Sequence, residues 1–307
     1  MYKPLLVPCY SGKSSRIFHL GFVLLMYRDE TRNGSYTYTL SGINMNLINI
    51  FKNVWIFFLI ILTISCGKDG EEDMPPEIPA TPPFGGTIFL DPDIITDSDK
   101  TTFESLSYAG QATRTMFDRR VDNWITVNPY LFNSTYDDGL SIEIQVNPEF
   151  QDSDAAEIEA LKYSEVIGRL PTALRIDVET VWIHKGTELF GGGNNNILIH
   201  IGQSTLYEND GILEETLVHE ASHTSLDAKH SASSGWVSAQ ESDANFISTY
   251  ARDNPTREDI AETFLLYMAI RYRSDRINQS LEDKILETIP NRIMYLDDQN
   301  FNMYPIE

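Results

Sequence analysis

The chain has 307 residues, of which 42% are hydrophobic and 22% charged, so its composition excludes a wholly disordered or collagen-like protein. Its 45 acidic and 23 basic residues give a net charge of −22, which disfavours contact with phosphate backbones, so no nucleic-acid partner is expected. Two cysteines, Cys9 and Cys66, are too few for a disulfide framework or a thiolate zinc site. Any metal must therefore be bound by histidines and carboxylates.

The N-terminal segment differs from the rest of the chain in charge and hydrophobicity. The first 66 residues contain 6 basic and 2 acidic residues, which leaves 17 basic and 43 acidic residues, a net charge of −26, in residues 67–307. Residues 54–64 are an unbroken apolar run, shorter than the roughly 20 residues that cross a bilayer as a helix. A basic residue, Lys52, precedes this run, and the small residue Ser65 follows it, as in a secretory signal peptide.

The cysteine at the end of this run makes residues 45–66 resemble the signal of a bacterial lipoprotein. The resemblance implies that Cys66 is lipidated and anchors the protein to the cell envelope, at the outer membrane or cell surface. If translation starts at Met45, residues 1–44 are an over-extended start; a short uncleaved anchor with an unrelated cysteine is the alternative. Residues 67–86, acidic and then proline-rich, are predicted to be an extended tether, which leaves residues 87–307 as the folded domain.

Hydrophobic periodicity predicts helices and strands in the first half of this domain. Residues 100–124 have a roughly helical rhythm, residues 140–146 alternate as a strand, and residues 152–169 form an amphipathic helix. Residues 174–184 and 197–201 are rich in β-branched side chains and are predicted to be strands.

The second half is predicted to be mostly helical. A glycine- and asparagine-rich segment, residues 191–196, is expected to be a loop. Helices are predicted at about residues 212–226, 238–250 and 254–272. Mixed elements followed mainly by helices indicate an α+β fold with a helical C-terminal half.

The predicted helix at residues 212–226 contains the sequence His219-Glu220-Ala221-Ser222-His223. Histidines at positions i and i+4 lie on one helix face, one turn apart, so both imidazoles can reach a single Zn²⁺. Glu220, beside the first histidine, can take a proton from a water whose pKa zinc lowers to about 7. A solvated helix with two unrelated histidines is the alternative.

A catalytic zinc site also needs a third protein ligand and an open position. His230 lies one place beyond the third histidine of the metzincin pattern and is interpreted as an ordinary loop residue. Glu241 and Asp243 lie near, but not at, the position of the thermolysin-type glutamate and remain a minor alternative. Glu258 and Glu262 are one helical turn apart. Spacing alone does not separate a ligand and its orienting partner from two solvated charges near a helix N-terminus.

This order of residues, HExxH followed by a tyrosine and then ExxAExF, resembles the gluzincin peptidases. Examples are the catalytic domain of anthrax lethal factor and the zinc-binding metallopeptidase lipoproteins of Gram-negative bacteria. The resemblance covers only residues 219–264. It implies a zincin-like fold, with a small mixed sheet whose edge strand lies over the active-site helix, followed by a helical C-terminal subdomain. Residues 197–201 would then be the edge strand that pairs with an extended peptide.

Carried over position by position, the resemblance implies a role for each site residue. His219, His223 and Glu258 would bind Zn²⁺, Glu220 would be the general base, and Tyr250 would stabilise the oxyanion. The gap between Tyr250 and Glu258 is one residue longer than in the family. Two further carboxylates are expected to orient the ligands, namely Glu262 and Asp227.

Together these features predict a lipid-anchored zinc peptidase that acts on peptide or protein substrates. One alternative is a surface-binding lipoprotein that keeps the fold without turnover, and another is a zinc amidase acting on a non-peptide substrate. His184 and His200 lack a partner at metal-ligand spacing and are predicted to be structural.

Overall fold

The computed structural model describes residues 26–30, 36–40 and 81–306. The chain divides into two units, Met1–Pro75 and Pro76–Glu307. In the first unit, strand β1 (Met26–Glu30) pairs antiparallel with strand β2 (Tyr36–Leu40). No helix among the described residues has both the length and the apolar character needed to cross a membrane.

The predicted signal segment with Cys66, and the predicted tether as far as residue 80, lie outside the described residues. The last residues of the predicted tether, 81–86, are described and belong to the second unit. Phe84 forms a parallel β-bridge with Ser248. Its N–H donates to the carbonyl of Ile247 (3.2 Å), and its own carbonyl accepts from the N–H of Thr249 (2.9 Å). Packing within the second unit therefore begins before residue 87, the predicted start of the folded domain.

A mixed sheet forms the base of the second unit. Its six strands are β3 (Phe103–Gln111), β6 (Tyr130–Tyr136), β7 (Ser141–Val146), β8 (Thr180–His184), β9 (Gly191–Gly193) and β10 (Asn196–His200). Their order in the sheet is β3-β6-β7-β8-β10-β9. Strands β7, β8 and β10 are parallel, whereas β3–β6, β6–β7 and β10–β9 are antiparallel pairs. A separate antiparallel hairpin comprises β4 (Arg114–Asp118) and β5 (Asn123–Val127).

Helices follow the strands and dominate the C-terminal half. They are α1 (Ser153–Ile167), α2 (Thr172–Arg175), α3 (Ile201–Asn209), α4 (Leu213–Ser225), α5 (Ser234–Ser242), α6 (Thr249–Asp253), α7 (Glu258–Tyr272), α8 (Gln279–Thr288) and α9 (Pro290–Asp297). A π-helical turn, Asp227–Ser231, follows α4. The predicted α+β class is therefore confirmed.

The hydrophobic core lies between the sheet and helices α1, α4 and α7. Ile144, Ile183 and Ile199 fill the sheet side and are fully buried. Helix α7 is buried all round, from Glu258 to Ile270, because it packs against several helices rather than along one apolar stripe. Helix α4 contacts β9 and β10 as well as α7. This arrangement brings the HExxH sequence next to the first turn of α7.

The predicted helix at residues 100–124 is wrong, because this segment forms β3, β4 and β5. Strand β3 pairs with β6 and has irregularities at Phe103/Ser105 and Tyr108/Gly110. At the second of these, Gly110 adopts a φ of 88°, which only glycine adopts readily. These bulges interrupt the alternation expected of a strand, and the residues of β6 that pair with β3 lie 19 to 33 positions further along the chain.

The predicted strand at residues 174–184 begins only at Thr180, because the chain first forms the short helix α2. The predicted helix at residues 238–250 is also interrupted. Asp243 leaves the helical conformation after α5, and its carboxylate accepts hydrogen bonds from the N–H groups of Asn291 (2.7 Å) and Arg292 (3.1 Å) at the start of α9. Asp243 therefore ends α5 and, through these hydrogen bonds, caps the start of α9.

The prediction of a loop at residues 191–196 is wrong where Gly191–Gly193 forms β9. Strand β10 pairs with β8 on one side and with β9 on the other, so it is interior to the sheet. The predicted edge strand at residues 197–201 is therefore also wrong, and its last residue, Ile201, starts α3. The edge strand beside α4 is β9.

Candidate metal centre

Three predicted ligand side chains meet between α4 and α7. His219 and His223 lie one turn apart on α4, and Glu258 lies in the first turn of α7. Glu258 Oε2 lies 3.2 Å from His219 Nε2 and 3.0 Å from His223 Nε2, and the two imidazole nitrogens are 3.1 Å apart. Among the described residues this is the cluster of histidine and carboxylate groups with the spacing of a metal site.

The separations between these atoms fit a tetrahedral ion. Zn²⁺ binds imidazole nitrogen and carboxylate oxygen at about 2.0–2.2 Å, so neighbouring tetrahedral ligand atoms lie about 3.3 Å apart. The three observed separations of 3.0–3.2 Å are close to that value. Two imidazoles and one carboxylate are also a common protein donor set for catalytic zinc, with one position left for water or substrate.

The second nitrogen of each ring faces a further carboxylate. His223 Nδ1 lies 3.0 Å from Asp227 Oδ2, and His219 Nδ1 lies 3.5 Å from Glu262 Oε1. A proton on each Nδ1, directed at these carboxylates, leaves the lone pair of each Nε2 pointing at Glu258. Three acceptor atoms then converge on one point, which is an arrangement that a cation stabilises. Asp227 and Glu262 are the two carboxylates that the sequence leads us to expect beside the candidate ligands.

The local charges strongly affect protonation within the cluster. Burial opposes a charge on His223, but hydrogen bonds to Asp227 and Glu258 outweigh it and raise the pKa of His223 to about 9. Burial also opposes ionisation of Glu258, yet hydrogen bonds from His219 and His223 hold its pKa far below the usual value. Without a metal, a proton therefore takes the place of the cation, and a metal ion would have to displace it.

Glu262 is fixed by the segment that follows the tether. Its Oε2 accepts a hydrogen bond from the N–H of Ile88 (3.0 Å), and its side chain is fully buried. Burial raises the pKa of Glu262 to about 7, although His219 favours the ionised form. The residues just beyond the predicted tether thus help to hold Glu262, which faces the candidate ligand His219.

A cleft of about 310 Å³ lies beside the cluster. Glu220 and Tyr250 line it together with the three candidate ligands. The ring of Tyr250 is nearly parallel to that of His219, with centroids 6.4 Å apart. Partial burial and the neighbouring Glu258 and Glu220 raise the pKa of Tyr250 to about 12, so its hydroxyl keeps its proton at neutral pH. The two predicted catalytic groups therefore share one cavity with the candidate ligands.

Strand β9 is attached to the helix that carries both histidines. The N–H of Gly193 donates to Thr224 Oγ1 (2.9 Å), and that hydroxyl lies 2.8 Å from the Asn196 carbonyl and 3.1 Å from the Glu220 carbonyl. The sequence does not predict this strand, because three consecutive glycines carry no hydrophobic alternation. Its one sequence signal was the alternating segment next to it, β10, with which it pairs.

The other candidates for the third ligand lie elsewhere. His230 Nδ1 is 2.8 Å from the hydroxyl of Tyr295, and the carboxylate of Asp243 pairs with the buried Arg292. Glu241 is exposed on α5. None of these residues lines the cleft.

His184 and His200 form a separate buried pair away from the cleft. Their rings stack with centroids 5.3 Å apart. Asp118 lies beside both, 4.0 Å from His184 Nδ1 and 3.7 Å from His200 Nε2. This position agrees with the structural role predicted for both histidines.

Comparison with family models, with curated proteins and with solved structures finds no match for this chain. The residues of the site provide a candidate three-atom cation site, a carboxylate and a protonated phenol in one cleft, and a sheet edge beside them.

Proposed function

We propose that this protein is a zinc-dependent peptidase with a zincin-like fold. The observation that carries the proposal is the convergence of His219, His223 and Glu258 within hydrogen-bonding distance of one another, at the wall of a cleft. A purely structural zinc site is normally closed by four protein ligands, whereas a catalytic site has three and an open position. Three ligands beside a cleft favour catalysis.

Zinc bound to these residues would supply Lewis acidity, polarising a carbonyl group and lowering the pKa of water. Glu220 lines the cleft one residue beyond His219 and acts as general base, taking a proton from the attacking water and returning it to the leaving amine. Tyr250 remains protonated because its pKa is raised to about 12, so its hydroxyl donates a hydrogen bond to the developing oxyanion.

The substrate is an extended peptide or protein segment that pairs with β9. This strand is the edge of the sheet nearest the cluster, and among the described residues no strand covers its outer side. An exposed edge offers backbone N–H and C=O groups to an incoming strand, which orients a peptide without requiring a particular sequence. Gly191–Gly193 has no side chains to obstruct that pairing.

We also propose that Cys66 carries a lipid anchor and that the protein acts at the bacterial cell envelope. Support comes from the sequence alone, in which a short apolar segment after Lys52 ends at this cysteine. The acidic and proline-rich segment that follows would hold the peptidase away from the membrane surface.

Zinc content and hydrolysis of a fluorogenic peptide library, measured on the same protein samples, test the proposal. The wild type should bind one zinc ion and cleave part of the library, and a chelator should abolish cleavage. Glu220→Ala should keep zinc and lose hydrolysis, whereas Glu258→Ala should lose zinc. Glu157→Gln changes an exposed carboxylate on α1 and serves as the control.

Two results would contradict the proposal. Full zinc occupancy in Glu258→Ala would remove Glu258 from the ligand set. A zinc-loaded wild type that cleaves no peptide in the library would favour the binding lipoprotein or the amidase over a peptidase.

A further inference from the structure

Arg119 is the arginine of the cleft that has no hydrogen-bonded or ion-paired partner among the described residues. It lies in the turn between β4 and β5, is half-buried, and lines the cleft. Among the described residues it donates no side-chain hydrogen bond and forms no ion pair. The other arginines of this hairpin are both paired, Arg114 with Glu143 (2.8 Å) and Arg120 with Asp118 (2.8 Å). In so acidic a domain, an arginine without a carboxylate partner is available for an external one.

The Arg119 side chain reaches the edge strand where a peptide would pair. A Cβ atom built on Gly191 would lie 2.8 Å from Arg119 Nη2. The guanidinium therefore lies against β9, in space that any side chain at position 191 would fill. A peptide paired with this edge would pass within reach of the charge.

The backbone on both sides of Arg119 is fixed. Asp118 is buried and accepts hydrogen bonds from both the backbone N–H (2.9 Å) and the side chain of Arg120. Its carboxylate also lies beside the buried His184 and His200. Hydrogen bonds from the side chain and backbone of Arg120 outweigh burial and lower the pKa of Asp118 to about 2, so this anchor stays ionised. Arg119 thus extends from a rigid turn.

The second arginine that lines the cleft, Arg257, is less suited to bind a substrate carboxylate. Arg257 Nε lies 3.4 Å from Glu258 Oε1, so its charge is directed at a candidate metal ligand. Arg257 is also largely exposed, with 63% of its side chain accessible to solvent. An exposed ion pair of this kind is weak, so Arg119 is the better-placed arginine of the cleft to meet an external carboxylate.

We propose that Arg119 binds a carboxylate of the peptide, so that the site prefers substrates with an acidic group at one fixed position; this inference rests on the proposed peptidase function. A guanidinium binds a carboxylate through two parallel hydrogen bonds, and a half-buried setting strengthens that contact. The carboxylate can come from an Asp or Glu side chain or from the peptide C-terminus. Exposed Phe89 and Leu189 line the same cleft and provide apolar contacts for neighbouring residues.

Binding and hydrolysis of matched peptide pairs test this inference. The probes are fluorescent peptides that differ only by Glu or Gln at each position in turn, made with free or amidated C-termini. Binding is measured on zinc-loaded Glu220→Gln protein, and hydrolysis on the wild type. At one position, or at the free C-terminus, the acidic member should bind about tenfold or more tightly, as expected for a charged hydrogen bond.

Three further substitutions, each made in the Glu220→Gln protein, test whether the preference for acidic peptides depends on Arg119. Arg119→Met should bind acidic and neutral members equally. Arg252→Met removes an equal charge from the exposed Arg252–Asp253 pair on α6, outside the cleft, and should keep the preference. Gly191→Ala should weaken the preference, because the new methyl group displaces the guanidinium.

The outcomes separate this inference from the function on which it rests. Hydrolysis by the wild type without any preference for acidic peptides would overturn the role of Arg119 and leave the peptidase intact. A preference that survives in Arg119→Met would assign the carboxylate to another residue. Binding of acidic peptides through Arg119 without cleavage would support the inference and contradict the peptidase.

Discussion

The backbone of Gly192 lies directly against the carbonyl oxygen of Glu220. A Cβ atom built on Gly192 would be 1.8 Å from that oxygen, a distance that no real side chain can occupy. The edge strand and the helix that carries HExxH therefore pack backbone to backbone. This close approach places the free edge of β9 next to the candidate base.

Replacing Gly192 with alanine should separate β9 from α4. The added methyl group meets rigid backbone, so we expect a loss of stability of about 1–3 kcal/mol, typical of overpacking, together with a fall in peptide hydrolysis. Zinc content should change little, because the three ligands do not lie on β9. Denaturant unfolding, metal analysis and peptide cleavage measure these effects.

Gly85→Ala is the matched control for this substitution. An added Cβ at Gly85 meets no atom within 4 Å, so stability and hydrolysis should equal those of the wild type. Wild-type stability and activity in Gly192→Ala would show that β9 and α4 are not in backbone contact at Gly192.

Tyr250→Phe should slow hydrolysis without loss of zinc. The phenylalanine ring preserves the packing against His219 but removes the hydroxyl that is proposed to donate to the oxyanion. Loss of one such donor lowers kcat by about 10²–10³. Steady-state kinetics should show this fall in kcat with KM little changed. Tyr108→Phe, at an exposed position on β3, should have no effect. An unchanged kcat in Tyr250→Phe would exclude the hydroxyl from the reaction.

Part of the site could be predicted because its geometry is local. The spacing of His219 and His223 requires that both rings share a helix face, whatever the rest of the fold does. Glu258 is different, because its approach to these rings depends on how α7 packs against α4. Spacing alone therefore left it undecided between a ligand and a solvated charge, and its burial between the two helices favours the ligand.

The edge strand of the sheet, β9, could not be predicted, because its formation depends on contacts that are not local in the sequence. Three glycines in succession have no side-chain pattern and normally indicate a loop. Gly191–Gly193 becomes a strand because β10 supplies hydrogen-bond partners and because α4 leaves no room for a side chain at Gly192. Both causes are tertiary. Arg119 was missed for the same reason, since only the fold brings its turn to the cleft.

Glu262→Gln should weaken zinc binding while the three ligands remain. The carboxylate of Glu262 lies 3.5 Å from His219 Nδ1, where it would orient the ring in a zinc-bound site. Loss of such an outer partner typically lowers metal affinity 10- to 100-fold. Competition with a chromogenic chelator measures this change, and Glu157→Gln provides an exposed carboxylate as control. Unchanged affinity would show that the ring is held by packing alone.

Glu215 should make the protein less stable as the pH rises. Its side chain is buried on α4, and Oε2 accepts the N–H of Leu90 (2.8 Å). Burial, reinforced by nearby acidic groups, raises the pKa of Glu215 from 4.5 to about 7. The folded state therefore holds this proton to higher pH than the unfolded state. The proton on Glu215 contributes its full stabilisation below about pH 4.5. This contribution is lost as the pH rises through about 7, and the loss is on the order of 1–3 kcal/mol.

Glu215→Gln isolates this contribution, because glutamine keeps the oxygen that accepts from Leu90 but cannot ionise. The variant should match the wild type near pH 4.5 and exceed its free energy of unfolding at pH 8. Urea unfolding at both pH values measures the difference, with Glu157→Gln as the exposed control. If the stability difference between Glu215→Gln and the wild type is the same at pH 8 as at pH 4.5, Glu215 does not carry a buried charge at pH 8. The segment around Leu90 must then open and let water reach the carboxylate.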